Sequence, residues 1–85
     1  MAKGSFVYWL IVAESQDAAR AGLRYYWDAE VQELVLERAG ATRFLFRDAG
    51  KSYLKESSEM AASGELAHLD LKVKLVRVRA TWGSK

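Results

Sequence analysis

Basic residues near the C-terminus are spaced so that they could contact phosphates. Between residues 69 and 79 they interrupt a run of leucine and valine. Alternate side chains of a strand share a face, and a basic face with an aromatic neighbour is typical of nucleic-acid binding. The net charge of only +2 is no strong electrostatic sign of nucleic-acid binding, and a solvated, protected edge strand explains the same pattern without a ligand. The candidate residues for this surface are Tyr8, Arg43, Leu45, Arg47, Lys72, Lys74, Arg77 and Arg79.

Catalytic chemistry has few candidates in this chain. His68 is the only histidine, and Asp70 could orient it as a general base if both side chains shared one strand face. Residues 49–52, Ala-Gly-Lys-Ser, resemble the end of a phosphate-binding loop, but Leu45 occupies the position of its first glycine. No recognisable motif places a nucleophile, and cysteine is absent. We therefore expect a non-enzymatic protein with no catalytic residues, no metal site and no cofactor.

Length and composition predict a single globular domain spanning residues 1–85. Of the 85 residues, 51% are apolar and 28% are charged, which is typical of a folded protein. The absence of cysteine excludes disulfides, and no apolar stretch approaches the ~20 residues that cross a bilayer. We expect a cytoplasmic protein that does not enter a membrane. A core this small without covalent links also favours a homodimer.

Residues 6–12, Phe-Val-Tyr-Trp-Leu-Ile-Val, predict a central strand because apolar side chains occupy both faces. The run is too strand-like for us to expect its removal as a signal peptide. Ser15 is a candidate N-cap for a following helix, with Asp17 in the first turn. The apolar stripe of that helix would comprise Ala19, Leu23, Tyr26 and Trp27.

Residues 31–37 permit two interpretations. They could end the first helix, with Gly40 as its C-terminal cap. Alternatively, they form a hairpin with residues 42–47 around a turn at residues 38–40, which we favour. That hairpin would pair Leu34 with Phe44 and would turn inward Leu34, Leu36, Phe44 and Phe46.

The C-terminal half predicts one helix and one strand. Asp48 is a candidate N-cap and Gly64 a candidate C-terminal stop. The inward side chains of this helix would be Tyr53, Leu54, Met60 and Ala61. In residues 69–79 the apolar positions are odd-numbered up to Leu75 and even-numbered from Val76. Such a shift of phase within a strand predicts a β-bulge, which would place all four basic residues on one face.

These elements predict an α+β domain of ferredoxin-like, split βαβ type. The order would be β-α-β-β-α-β, with two helices on one face of a four-stranded antiparallel sheet of spatial order 4-1-3-2. This layout resembles the RNA recognition motif in element order, which implies RNA binding on the open sheet face. Residues 42–47, Thr-Arg-Phe-Leu-Phe-Arg, lack the glycine of that family's third-strand motif, so membership does not follow.

The open sheet face is where we expect function. Placing Tyr8 outward would create an apolar patch, which favours a homodimer or a protein partner. The residues of this predicted dimer face are Tyr8, Leu10, Val12, Val35 and Leu45. The first alternative is an RNA- or single-stranded-DNA-binding module on the same face. The second is a small-ligand cleft between the first helix and the sheet, beside the aromatic residues 25–27.

Overall fold

The computed structural model describes residues 4–82, which form one antiparallel sheet with helices on one face. The strands are arranged in the order β3-β2-β1-β4. The strands and helices are β1 (Gly4–Ser15), β2 (Arg24–Asp28), β3 (Glu33–Val35), α1 (Arg47–Lys51), α2 (Leu54–Ala61) and β4 (Leu71–Trp82). Short 3₁₀ segments lie at Ala18–Arg20, Arg38–Gly40 and Gly64–Leu69. A four-stranded antiparallel α+β fold is thus observed, whereas the predicted β-α-β-β-α-β order is not confirmed.

The first difference concerns the segment predicted as a helix after β1. The chain makes a 3₁₀ turn at Ala18–Arg20, where the Asp17 carboxylate accepts a hydrogen bond from the N–H of Ala19. Gly22 then adopts a φ of +91°, which a right-handed helix does not allow. The following aromatic residues form β2, whose Tyr26 lies opposite Val12 of β1. Aromatic side chains fit a half-buried strand, so the helical spacing of these residues was a coincidence.

The predicted hairpin between residues 31–37 and 42–47 is also wrong, and so is the long-helix alternative. β3 pairs with β2, and the chain turns between them with Gln32 at a φ of 56°. Phe44 instead lies opposite Trp9 of β1. Its side chain is buried as expected, and so is that of Leu34. Leu36 and Phe46 are 59% and 74% exposed, contrary to the inward placement that the hairpin required.

β1 and β4 form a long ribbon without a bulge. All 12 residues of each strand pair in one continuous register, from Gly4 opposite Trp82 to Ser15 opposite Leu71. The predicted bulge is therefore wrong. The apolar residues change from odd to even positions because the first half of β4 packs against the helix-side cluster and the second half packs against the cluster on the other face. Val73 and Leu75 pack on the side of the helices, whereas Val76 and Val78 pack on the other side.

Two hydrophobic clusters lie on opposite faces of the sheet, and β1 contributes to both. The helix-side cluster is built on Ile11, Ala13, Trp27, Leu34, Phe44 and Ala61. The cluster on the other face is built on Tyr8, Leu10, Val12 and Ala41. The prediction of a central strand covered on both faces is thereby confirmed. The expected inward side chains of the C-terminal helix also pack against the helix-side cluster, namely Tyr53, Leu54, Met60 and Ala61.

The boundaries of the C-terminal elements differ from those predicted. Phe46, not Asp48, is the N-cap residue of α1. The helical stretch is divided into α1 and α2, and α2 ends at Ala61, before Gly64. Gly64 has a φ of +60° and begins the 3₁₀ segment that leads to β4. The single helix predicted from Asp48 to Gly64 is therefore two short helices.

Candidate functional site

The open face is the surface of the sheet opposite α1 and α2. Tyr8, Leu10 and Val12 lie on it, which is the orientation expected for β1. Their side chains are only 7%, 3% and 6% exposed, because neighbouring strands and Ala41 cover them. The solvent-exposed apolar patch predicted for these residues is therefore absent. An interface on this face must use its margins, since its centre is already buried.

The other two residues of the predicted dimer face differ in exposure. Val35 lies opposite Tyr26 on the open face and is half-buried. The Val35 side chain sits 3.2 Å from the position that a Cβ on Gly40 would take, so the 3₁₀ segment Arg38–Gly40 packs closely beside it. Leu45 is 65% exposed. Of the five predicted residues, Leu45 thus offers the most uncovered apolar surface.

The margin around Tyr8 brings together aromatic, basic and apolar side chains. The guanidinium of Arg43 lies over the Tyr8 ring, 5.2 Å from its centroid, in cation–π geometry. The rings of Phe6 and Tyr8 are 5.8 Å apart. Leu45, two residues beyond Arg43, lies in a bend with its side chain 65% exposed. We call Phe6, Tyr8, Arg43 and Leu45 the Tyr8 corner.

The continuous register of β4 divides the predicted basic surface between two faces. Lys72 and Lys74 lie opposite Glu14 and Val12 and therefore belong to the open face. The other two basic residues of β4 point to the helix side, because Arg77 lies opposite Trp9 and Arg79 lies opposite Val7. The prediction that all four share one face is wrong, because it depended on the bulge. Arg47 begins α1 and does not lie in a strand.

A charged cluster occupies the end of the open face near the start of β4. The Oε2 atom of Glu14 accepts a hydrogen bond of 2.8 Å from Arg24 Nε and lies 3.8 Å from Lys74 Nζ. The hydrogen bond from Arg24, and then the charge of Lys74, lower the pKa of Glu14. The same hydrogen bond raises the pKa of Arg24. Glu14 is therefore an ionised carboxylate shared by two cations.

A pocket of about 170 Å³ includes this cluster in its lining and extends along the open face toward the Tyr8 corner. It has an apolar floor and a charged rim, and its lining consists of Leu10, Val12, Glu14, Arg24, Tyr26, Arg38, Lys74, Val76 and Val78. No local pattern in the sequence marks Glu14, Arg24 or Arg38 as a site residue. Glu14 and Arg24 meet only because β1 pairs with β2, where a helix was predicted.

The helix side carries a wider depression of about 300 Å³ beside α2, lined in part by Trp27, Glu56 and Glu59. The predicted cleft between a first helix and the sheet is absent, because residues 25–27 belong to β2; of these three residues only Trp27 lines the depression. The indole N–H of Trp27 is buried without a hydrogen-bond partner within residues 4–82. The depression opens broadly to solvent, so it encloses a ligand less than the open-face pocket does.

The remaining catalytic candidates do not form a site. His68 is exposed in the 3₁₀ segment, and Asp70 has a φ of 51°, so the two do not share a strand face. Residues 49–52 lie in and just after α1, and no glycine-rich loop precedes them. In the described part of the chain, no three carboxylate or histidine side chains are grouped so as to hold a metal ion.

None of the helices within residues 4–82 has the length and apolar character needed to cross a bilayer. Comparison with known proteins provides no relative, since no family model, no curated protein and no solved structure matches the chain significantly.

Proposed function

We propose that this chain is a small, non-catalytic binding module whose partner is a second copy of itself, bound through the Tyr8 corner. The proposal rests on the observation that the chain exposes more surface than a compact monomer of its mass. The accessible surface is 5962 Å², whereas a compact monomer of this mass is expected to expose about 5,100 Å². The excess of roughly 900 Å² is close to the ~800 Å² that each partner buries in a standard interface.

The elongated shape of the chain supports the same proposal. The radius of gyration is 14.3 Å and the principal extents are 49 × 28 × 18 Å. A compact domain of this length is expected to have a radius of gyration of about 12 Å. Much of the length comes from the β1–β4 ribbon, whose 12 residues per strand greatly exceed the 5 of β2 and the 3 of β3. Packing two ribbons together would bury surface that the monomer leaves exposed.

The chemistry of the Tyr8 corner suits a protein partner. Leu45 is 65% exposed and Phe6 is 40% exposed, so both can lose further apolar surface on association. The cation–π contact restrains Arg43 above Tyr8, which reduces the side-chain entropy that binding would cost. Arginine is also enriched among the residues that dominate binding energy in protein interfaces, and Arg43 is exposed.

The same geometry gives less support to nucleic-acid binding. The open face retains Lys72 and Lys74 from the predicted basic set of β4, but not its two arginines. Lys74 also lies within 4 Å of the Glu14 carboxylate, at 3.8 Å, so part of its charge is compensated. Arg43 is placed over a tyrosine ring that is 7% exposed and offers little surface on which a base could stack.

The oligomeric state of the full chain tests the proposal. We expect sedimentation equilibrium to show a concentration-dependent dimer, weakened by Leu45→Glu about 10- to 100-fold because a charge would enter an apolar contact. The matched control is Val31→Glu, which alters a side chain of similar exposure, 55%, in the β2–β3 turn. We expect this control to dimerise like the unmodified chain.

Three outcomes would count against the proposal. A strict monomer at high protein concentration would exclude self-association. Equal weakening by both variants would exclude the Tyr8 corner as the interface. Binding to single-stranded RNA that weakens as salt is raised, without any dimer, would favour the nucleic-acid function instead.

A further inference from the structure

The open-face pocket adjoins the Tyr8 corner, because Val78 lines it and lies opposite Tyr8, but none of the four residues of that corner lines it. Its floor is formed by alternate residues of β1 and of its neighbour β4, the edge strand. Leu10 lies directly opposite Val76, and Val12 lies beside them on the same face. These side chains have no hydrogen-bond donors or acceptors. Leu10 and Val12 are nearly covered, so the exposed part of the floor belongs mainly to the half-buried Val76 and Val78. A ligand bound there must therefore place an apolar part against the floor.

The charges on the rim are not balanced. Three cationic side chains and a single carboxylate line the pocket: Arg24, Arg38, Lys74 and Glu14. Glu14 is shared between Arg24 and Lys74, at 2.8 and 3.8 Å. The guanidinium of Arg38 has no ion-pair or hydrogen-bond partner within residues 4–82. Arg38 is therefore the rim cation that is available to an incoming anion.

We propose that this pocket binds a small organic carboxylate with an apolar body, which places its carboxylate on Arg38 and its body on Leu10, Val12 and Val76. A planar guanidinium can donate two parallel N–H bonds to a carboxylate, which makes Arg38 well suited to this anion. The excess of positive charge disfavours a cationic ligand, and the apolar floor disfavours a sugar. This binding goes beyond self-association and uses residues other than those of the Tyr8 corner.

The size of the pocket limits the ligand further. Its volume of about 170 Å³ is below the ~300–1,000 Å³ of sites for drug-sized molecules. One aromatic ring with a short acid chain matches this space, whereas a nucleotide or a long-chain fatty acid exceeds it. Tyr26 on the wall of the pocket adds an aromatic surface against which such a ring can pack.

The test is a titration of the isotope-labelled full chain with 3-phenylpropionate, followed by NMR. We expect chemical-shift changes concentrated on the methyl groups of Leu10, Val12 and Val76. The neutral amide, 3-phenylpropionamide, should bind about tenfold more weakly because it lacks the charge that Arg38 recognises. Acetate, which lacks the apolar body, should not saturate in the same concentration range.

Two substitutions that each remove one positive charge test whether Arg38 binds the carboxylate of the ligand. Arg38→Gln should remove the preference for the acid over the amide. Arg79→Gln should preserve it, because Arg79 lies opposite Val7 on the other face of the sheet. Both side chains are exposed, so neither variant is expected to unfold the chain.

Repeating the titration in the Leu45→Glu variant separates this proposal from self-association. Saturable binding there would support the pocket whether or not the chain dimerises. Equal affinity for acid and amide, shifts scattered over the surface, or an unchanged preference in Arg38→Gln would each overturn the assignment.

Discussion

Phe44 and Trp9 exchange two backbone hydrogen bonds, with N···O distances of 2.7 and 2.9 Å. This exchange places residues 41–44 beside β1, in the position that β2 leaves when it ends at Asp28. Thr42 fixes the same segment to β2, because its N–H donates to the carbonyl of Trp27 at 2.9 Å. Its Oγ1 also accepts the N–H of Ala29 at 2.8 Å. A short non-strand segment thus extends the sheet and carries Phe44 into the helix-side core.

Replacing Phe44 tests this role. The ring is 7% exposed and lies 5.5 Å from that of Tyr53, between the sheet and the helices. We expect Phe44→Ala to lower the free energy of unfolding by about 3–5 kcal/mol, through lost burial and the cavity left behind. Phe46→Ala is the matched control, since Phe46 is 74% exposed, and should change stability by less than about 0.5 kcal/mol. Urea unfolding followed by tryptophan fluorescence measures both, and equal effects would contradict this packing.

The sequence predicted β1 correctly because its signal is local. Residues 6–12 are apolar at both odd and even positions, so both faces of this strand must be buried, and this follows without knowing which elements cover them. The position of Phe44 is different, because its partner Trp9 is far away in the chain and its nearest extended neighbour, residues 33–35, is not that partner. The apolar pattern indicated that Phe44 is buried but contained no information on which strand it joins.

Ser15 links β1 to the segment before β4. Its Oγ donates a hydrogen bond of 2.8 Å to the carbonyl of Leu69 and accepts one of 3.3 Å from the N–H of Asp17. Because Ser15 is buried, Ser15→Ala should leave the Leu69 carbonyl without a partner and cost about 1–3 kcal/mol. The control is Ser52→Ala, where an exposed hydroxyl bonds the carbonyl of Ala49 and water can replace it. Thermal unfolding that shows the same loss for both variants would exclude a structural role for the Ser15 bond.

The candidate site could be predicted less well than the fold. Tyr8 and the open face follow from strand parity, which the sequence contains. The pairing of Glu14 with Arg24 depends on β1 meeting β2, and helical spacing in residues 19–27 concealed that contact. Arg38 reaches the pocket from a 3₁₀ segment, which has no periodic signal in the sequence.

The ionisation of Glu14 provides a test of the charged cluster. Its pKa is lowered mainly by the hydrogen bond from Arg24 and next by the charge of Lys74. A lowered folded-state pKa means that ionised Glu14 favours the folded chain above its unfolded-state pKa. This contribution is lost as the pH falls through the folded-state pKa.

NMR titration of the side-chain carboxyl carbons measures this effect directly. We expect the pKa of Glu14 to rise in Arg24→Gln and to rise less in Lys74→Gln. Arg79→Gln, on the other face, should leave it unchanged. The assigned cause would be refuted if removal of Arg24 did not move the pKa of Glu14, or moved it less than removal of Lys74.

The register of the β1–β4 ribbon decides which face its arginines occupy, and paired cysteines can measure it. Val7 lies opposite Arg79. Trp9, two residues along β1, directs its N–H and C=O to Phe44 and therefore away from β4. Val7 has the same parity, so the pair of Val7 and Arg79 is of the non-hydrogen-bonded kind, with Cα atoms about 4.5 Å apart. That separation is within the range of a disulfide.

The double variant Val7→Cys/Arg79→Cys should consequently oxidise readily, and the chain contains no other cysteine to compete. A bulge after Leu75 would instead align Val7 with Ala80, so Val7→Cys/Ala80→Cys is the matched alternative. We expect this second pair to stay reduced, because in the continuous register its side chains point to opposite faces. Non-reducing electrophoresis distinguishes the two variants. Preferential oxidation of the second pair would return Arg77 and Arg79 to the open face and would restore the case for a nucleic-acid surface there.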